Sequence, residues 1–198
     1  MSYAAKIENS IPLTDYLAAE ESADIRSEYV AGQVYAMAGG SELHNTIASE
    51  FHTLINAQLP DECRAWQSDM KVLVRRGEAS YAYYPDIMAS CEANDSGNPY
   101  IRTNPSLIVE VLSSSTQRID LGEKLQNYIS LPSLIEYVVV SQDTPYLRLF
   151  RRRTHWQAES YYAGDTVNLE SVGLEISVER IYRRVRKEVG LDIRNSNY

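Results

Sequence analysis

Apolar positions change period along this chain, and the changes mark its elements. Leu13, Tyr16 and Leu17 fall at helical spacing within 12–21, where Thr14 and Asp15 act as start signals, so a short helix is predicted there. Segments 25–30 and 33–37 flank Ala31-Gly32, a pair suited to a tight reversal, and read as a hairpin closed by Gly39-Gly40. Ser41 and Glu42 open a longer helix to about Gln58, because Ile47, Phe51, Leu54 and Ile55 repeat at three- and four-residue steps. Pro60-Asp61 stops it.

The pattern then becomes that of strands. They are predicted over 63–67, 70–75, 83–90 and 107–112, with a polar loop over 92–104. Ser113 to Thr116 supplies N-cap candidates for a helix over 120–130, with Leu121, Leu125 and Tyr128 inward and Pro132 as its stop. A β-branched strand follows over 134–140, then a hairpin from 146–152 and 155–162, and a basic C-terminal helix over 178–189. This order predicts an α/β or α+β fold in which a central mixed sheet is flanked by helices.

With 198 residues the chain can bury one good core and is short for two, so a single domain over 1–198 is expected. Its apolar stretches are only strand-length and its N-terminus lacks the basic-then-apolar order of a signal peptide; no membrane span and a cytoplasmic location are expected. Cys63 and Cys91 form neither a CxxC pair nor a zinc spacing, and reduced structural thiols are expected. The net charge of −8 opposes general binding to nucleic acid, so any such contact needs a local patch.

Chemistry enters with two acids placed inside apolar runs. Asp86 follows Tyr84-Pro85, and Glu110 interrupts Leu107-Ile-Val-Glu-Val-Leu112. Burying an ionised carboxylate without a partner costs several kcal/mol, roughly, so each must find a cation, a metal or donors, or take up a proton. Two carboxylates on neighbouring strands suit Mg²⁺ or Mn²⁺, which take one or two carboxylates with waters and substrate oxygens, and the Val111 carbonyl is a natural third ligand. Lys124 shares a helix face with Asp120 and Tyr128, from which its ammonium could orient water or neutralise charge on phosphorus; the plainer alternative is a surface ion pair with Asp120.

The ordered set Glu28-Tyr-Val-Ala-Gly32, Ser41-Glu-Leu-His44, Ser68-Asp-Met-Lys71-Val, Tyr84-Pro-Asp86, Glu110-Val-Leu-Ser113 and Lys124-Leu-Gln-Asn-Tyr128 resembles the Uma-type family of restriction-endonuclease-like proteins, within the PD-(D/E)XK nuclease superfamily. The resemblance runs from the first helix to about residue 165. It implies a restriction-endonuclease-like core with a divalent metal held by Asp86 and Glu110. One position departs from the superfamily pattern: Leu112 stands where the (D/E)XK lysine would be, and the resemblance implies that Lys124 has taken over from the following helix.

The expected activity is hydrolysis of DNA phosphodiester bonds by a homodimeric Mg²⁺- or Mn²⁺-dependent endonuclease. Asp86, Glu110, Lys124 and Glu28 are the catalytic candidates, Asp86, Glu110 and Val111 the metal ligands, and His44, Tyr84 and Ser113 candidate substrate contacts. Asp69 and Lys71 share one strand face and could border the cleft. Arg75-Arg76, Arg151 to Arg153 and Arg183 to Lys187 are candidate phosphate contacts, with Tyr81, Tyr83 and Tyr84 available to stack on bases. The rival expectation is a nuclease fold kept as an inactive binding or dimerisation module.

Overall fold

The computed structural model describes residues 10–92, 95, 97–112 and 120–192. It is an α+β fold built on a mixed sheet with helices against it. Helix α1 (Leu13–Glu20) leads into the hairpin β1 (Ser27–Val30) and β2 (Gln33–Ala36), and α2 (Glu42–Asn56) follows. Next come β3 (Arg64–Gln67), β4 (Lys71–Arg76), β5 (Ala79–Tyr83), β6 (Ile87–Ser90), β7 (Ile101–Arg102) and β8 (Leu107–Leu112). A π-helical turn (Asp120–Lys124) runs into α3 (Leu125–Tyr128). The chain continues through β9 (Glu136–Ser141), β10 (Tyr146–Arg151), β11 (Ala158–Tyr162), β12 (Thr166–Leu169), β13 (Leu174–Ser177) and α4 (Val178–Ile181).

The central sheet has the order β11-β10-β9-β8-β6-β3, with β8 and β9 parallel and the other pairs antiparallel. A second sheet, β2-β1-β5-β4-β7, lies against one of its faces. Alternation along the fully buried β8 assigns each side chain to a layer. Leu107, Val109 and Val111 pack with Ile47, Phe51 and Ile55 of α2 and with the β12–β13 hairpin. Ile108 and Leu112 face the opposite way, among Tyr83 of β5, Tyr128 of α3 and Tyr137 of β9. By the same parity Glu110 belongs to this second, tyrosine-rich layer.

The structure departs from the predicted elements in several places. Residues 83–90 are not one strand: β5 ends in the second sheet, Tyr84-Pro85-Asp86 carries the chain across, and β6 begins in the central one. Pro85 has no N–H to give a ladder, which suits a crossing between sheets. The Gly77-Glu78 turn, with Gly77 at φ 60°, joins β4 to β5 in a hairpin that the sequence reading passed over. The C-terminal helix is α-helical only over Val178–Ile181, and the β12–β13 hairpin precedes it, with Val167, Leu169, Leu174 and Ile176 alternating inward.

Cys63 and Cys91 are joined in a disulfide, which corrects the expectation of free thiols. The register pairs Arg64 with Ser90, and one step further brings the two cysteines face to face with their Cα atoms 4.0 Å apart. Only strand register brings them together; spacing along the chain does not. Among the described residues no helix is long and apolar enough to cross a membrane.

Candidate active site

The two acids singled out from the sequence meet where the sheets part. Pairing of β6 with β8 ends at Ile87 opposite Val109, which leaves the next stretch of that β8 edge without a backbone partner. The Asp86 side chain fills the gap: its Oδ2 accepts the Val111 N–H at 2.6 Å. The Asp86 N–H points in turn at Glu110 Oε2, 3.4 Å away.

Glu110 is 3% exposed, and its Oε1 accepts from the Tyr128 hydroxyl at 3.1 Å and from Lys124 Nζ at 3.3 Å. Lys124 projects from the π-helical turn, a form of helix that often marks functional positions. Its ammonium lies 3.0 Å from Glu28 Oε1 and 3.6 Å from Asp120 Oδ1, and 5.5 Å above the Tyr83 ring. Asp120 and Lys124 are both buried, so their pairing is not the surface ion pair of the plainer sequence reading. Glu28 Oε1 also accepts the Tyr84 N–H at 3.2 Å, fastening β1 to the crossing.

His44 approaches from the opposite wall. Ser41 caps α2 by accepting the His44 N–H at 3.1 Å, which fixes the imidazole on the first turn. His44 Nε2 then lies 3.0 Å from Asp86 Oδ2 without the alignment of a hydrogen bond. Gly40 makes room: a Cβ there would come within 2.7 Å of His44 Nδ1. The 37–41 loop, His44, Tyr84, Asp86, Glu110, Asp120, Lys124 and Gln142 enclose a cleft of about 370 Å³.

Carboxyl groups outnumber cations in this cleft. Burial pushes Glu110 well above the ordinary carboxylate range, with Lys124 pulling down and Asp120, Asp86 and Glu28 pushing up. Burial also raises Asp86, against the pull of the Val111 N–H, His44 and Lys124. For Lys124 burial alone would lower the pKa, but Glu110, Glu28 and Asp120 outweigh it and hold the ammonium above its usual range. The arrangement is a buried cluster of carboxyl groups around one fixed ammonium.

That donor set fits a hard dication. Asp86 Oδ1 accepts no hydrogen bond among the described residues and stands on the cleft wall. Val111 directs its N–H to the same edge, and the carbonyl of a strand residue faces the side of its own N–H. Among the described residues no three His, Cys, Asp or Glu side chains group as a metal cage. Mg²⁺ does not need one, since it commonly takes one or two carboxylates and keeps several waters.

The structure thus brings together Glu28, Asp86, Glu110, Lys124, Val111, His44 and Tyr84, while Ser113 lies outside the described residues. Tyr84 forms part of the wall, but its hydroxyl donates to Glu20 and its ring is buried, as is that of Tyr83, so neither can stack on a base. Asp69 and Lys71 do not border the cleft: Asp69 pairs with Arg26 at 2.8 Å, and Lys71 is buried with its ammonium about 5 Å from the Tyr16 and Tyr84 rings. Arg151 is likewise no phosphate contact, being buried against Glu136 and Glu159, while Arg153 pairs with Glu170. Asp120 and Tyr128 also belong to the site, and their helical spacing from Lys124 is the sequence signal for it.

Comparison with known proteins places the chain in a family and a fold. The family model Uma2, described as "Putative restriction endonuclease", matches residues 13–179. The uncharacterized protein slr1290 of Synechocystis sp. (strain ATCC 27184 / PCC 6803 / Kazusa) is 35% identical over 172 residues, which span 85% of this chain and 90% of that one. A second protein of that organism, sll1609, is also 35% identical, over 132 residues covering 65% of this chain and 73% of its own. In fold, the chain resembles the crystal structure of "a putative nuclease belonging to DUF820" from Anabaena variabilis ATCC 29413, with a TM-score of 0.72 at 17% identity, over 87% of this chain and 98% of that one. A match across most of the chain, with the same fold in a distant relative, makes this protein a member of the Uma2 family, in the PD-(D/E)XK nuclease superfamily.

Proposed function

We propose that the protein is a Mg²⁺- or Mn²⁺-dependent endonuclease that hydrolyses DNA phosphodiester bonds, acting as a homodimer. One observation carries this reading: Asp86 of the Pro85 crossing and Glu110 of β8 line one cleft with Lys124 of the π-helical turn, whose ammonium pairs with Glu110 and with Glu28 of β1, so acids outnumber cations there. Asp86 and Glu110 would hold the dication, with the Val111 carbonyl beside them. The bound ion would supply Lewis-acid activation of water and charge neutralisation on phosphate. Lys124 orients the Glu110 and Glu28 carboxylates and offers the remaining positive charge toward the phosphate. His44 sits where it can exchange a proton with the attacking or leaving oxygen.

Nicking of supercoiled plasmid tests this reading. Wild-type protein should nick only with Mg²⁺ or Mn²⁺, and Asp86→Asn and Glu110→Gln, shown folded by circular dichroism, should not. Calorimetric titration with Mn²⁺ should give a saturable heat that both variants lose. Nicking that persists in the variants would refute the assignment. A folded wild-type protein with neither heat nor turnover would point to the inactive module, the alternative favoured by Leu112 standing in place of the lysine.

A further inference from the structure

A second cavity opens on the outer side of α2, away from the acids. It has a volume of about 410 Å³ and lies between α2 and the segment after α4, with Asn45, Thr46, Ser49, Arg183 and Arg184 on its walls and Glu42 at its rim. At its floor is Glu50, 3% exposed and held ionised: burial would raise its pKa, but the two arginines outweigh burial and lower it.

Each guanidinium spends only one edge on that carboxylate. Arg183 Nε meets Glu50 Oε1, and Arg184 Nε meets Oε2 at 2.9 Å. Among the described residues Arg184 makes no hydrogen bond besides that to Glu50, Arg183 contacts Glu50 as an ion pair, and their side chains are 36% (Arg183) and 63% (Arg184) exposed. Both arginines line the cavity, tethered to Glu50 through Nε and partly exposed. A shared carboxylate holding two arginines side by side places their like charges together, an arrangement suited to a doubly hydrogen-bonding anion such as phosphate. On the same short segment Arg180 and Lys187 are exposed and have no carboxylate within ion-pair distance among the described residues.

We infer that the Arg183–Glu50–Arg184 cluster binds a backbone phosphate of the nucleic acid whose scissile bond lies in the Asp86–Glu110 cleft. The inference rests on the nuclease reading for the identity of that polymer. Helix α2 joins the two places: His44 faces the cleft from its first turn and Glu50 floors the cavity nearly two turns on. At 1.5 Å rise and about 100° of turn per residue, the two positions are about 9 Å apart along the axis and about 120° apart around it, within reach of one polymer curving past the helix. The acidic chain also needs a local cationic contact to hold nucleic acid at all.

Binding can be separated from cleavage. Anisotropy of a fluorescent DNA duplex is measured against salt for wild-type protein, Ser49→Glu and Arg184→Ala, all in Ca²⁺. Ser49 is exposed, so Ser49→Glu puts a negative charge at the cavity while leaving the Arg–Glu–Arg cluster in place. Each variant should bind about ten-fold more weakly, and the slope of log K against log salt should be shallower by about 0.9, the value for one lost phosphate contact on duplex. Unchanged affinity and slope in folded variants would overturn the inference. So would a saturable heat with inorganic phosphate that Ser49→Glu abolishes while DNA binding stays as in wild type, which would mark the cavity as a site for the free ion. Asp86→Asn run alongside distinguishes the two readings: if it still nicks plasmid, the catalytic assignment fails while the anisotropy result stands for the cavity alone.

Discussion

Replacing Lys124 with methionine tests the electrostatic design of the cleft, because it keeps an unbranched stem and deletes only the charge. The ammonium stands within 3.0–3.6 Å of Glu28, Glu110 and Asp120, and its residue is 8% exposed. Removing one side of a buried ion pair costs about 3–5 kcal/mol. For a chain of this size, at about 2–4 °C per kcal/mol, the midpoint of thermal unfolding should fall by roughly 6–20 °C. The loss should depend on pH. Burial raises Asp86 and Glu110, so the native state keeps protons that the unfolded chain releases, and stability falls as pH rises from about 4 through the raised folded values. Lys124 pulls both groups down, so deleting it extends that fall to higher pH. Urea unfolding should thus show a small penalty at pH 5 and the full penalty at pH 8, with the denaturant slope unchanged. Mg²⁺ at a hundred times its Kd should return about 2.7 kcal/mol. A loss below about 1 kcal/mol, the same at both pH values, would show that Lys124 does not neutralise the acids and would refute the argument.

Other substitutions probe the remaining parts. Glu110→Gln removes a carboxyl that burial holds well above its ordinary range, so thermal stability should fall less between pH 4 and pH 8 in the variant than in wild type; an equal fall would contradict a native-state proton at this site. Reducing the Cys63–Cys91 disulfide, or replacing both residues with serine, releases a loop with a sequence separation of 28, and chain entropy gives a loss of about 3–4 kcal/mol in urea unfolding. An unchanged transition after thiol modification is confirmed would exclude the bond. Gly40→Ala should cost only about 1 kcal/mol or less, because the atom its Cβ meets belongs to a movable ring, yet it should displace His44 from Asp86. Imidazole nitrogen shifts measured by NMR should change and nicking should drop about ten-fold; identical shifts would remove His44 from the argument.

The helical and β periods exposed most of the framework, because α2 and β8 bury strongly and their patterns are long. The hairpins β4–β5 and β12–β13 were missed for different reasons. In β5, the sequence Ala-Ser-Tyr-Ala-Tyr is neither strongly alternating nor uniformly apolar, so only the Gly77-Glu78 turn marks it. In β12–β13 the alternation is clear, with Gly173 at φ 63°, and the signal was available. The Cys63–Cys91 bond and the burial of Tyr83, Tyr84 and Arg151 depend on which strands are neighbours. No local pattern carries that information.

The site itself was legible to the extent that buried charge is legible. An acid in an apolar run must be compensated, and this logic selected Asp86 and Glu110 without any fold. It could not say why Pro85 sits between Tyr84 and Asp86, which only the two-sheet arrangement explains: the crossing turns Asp86 toward the edge of β8 that β6 leaves unpaired. The same geometry bears on Leu112. Leu112 lies on the Glu110 face of β8, packed among Tyr83, Tyr128 and Tyr137 in a layer that holds the cleft closed behind the acids. A lysine there would have to displace that packing, whereas the π-helical turn brings Lys124 over the same layer from the side and reaches Glu110 and Glu28 together. A side chain from the helix therefore meets two carboxylates from two sheets.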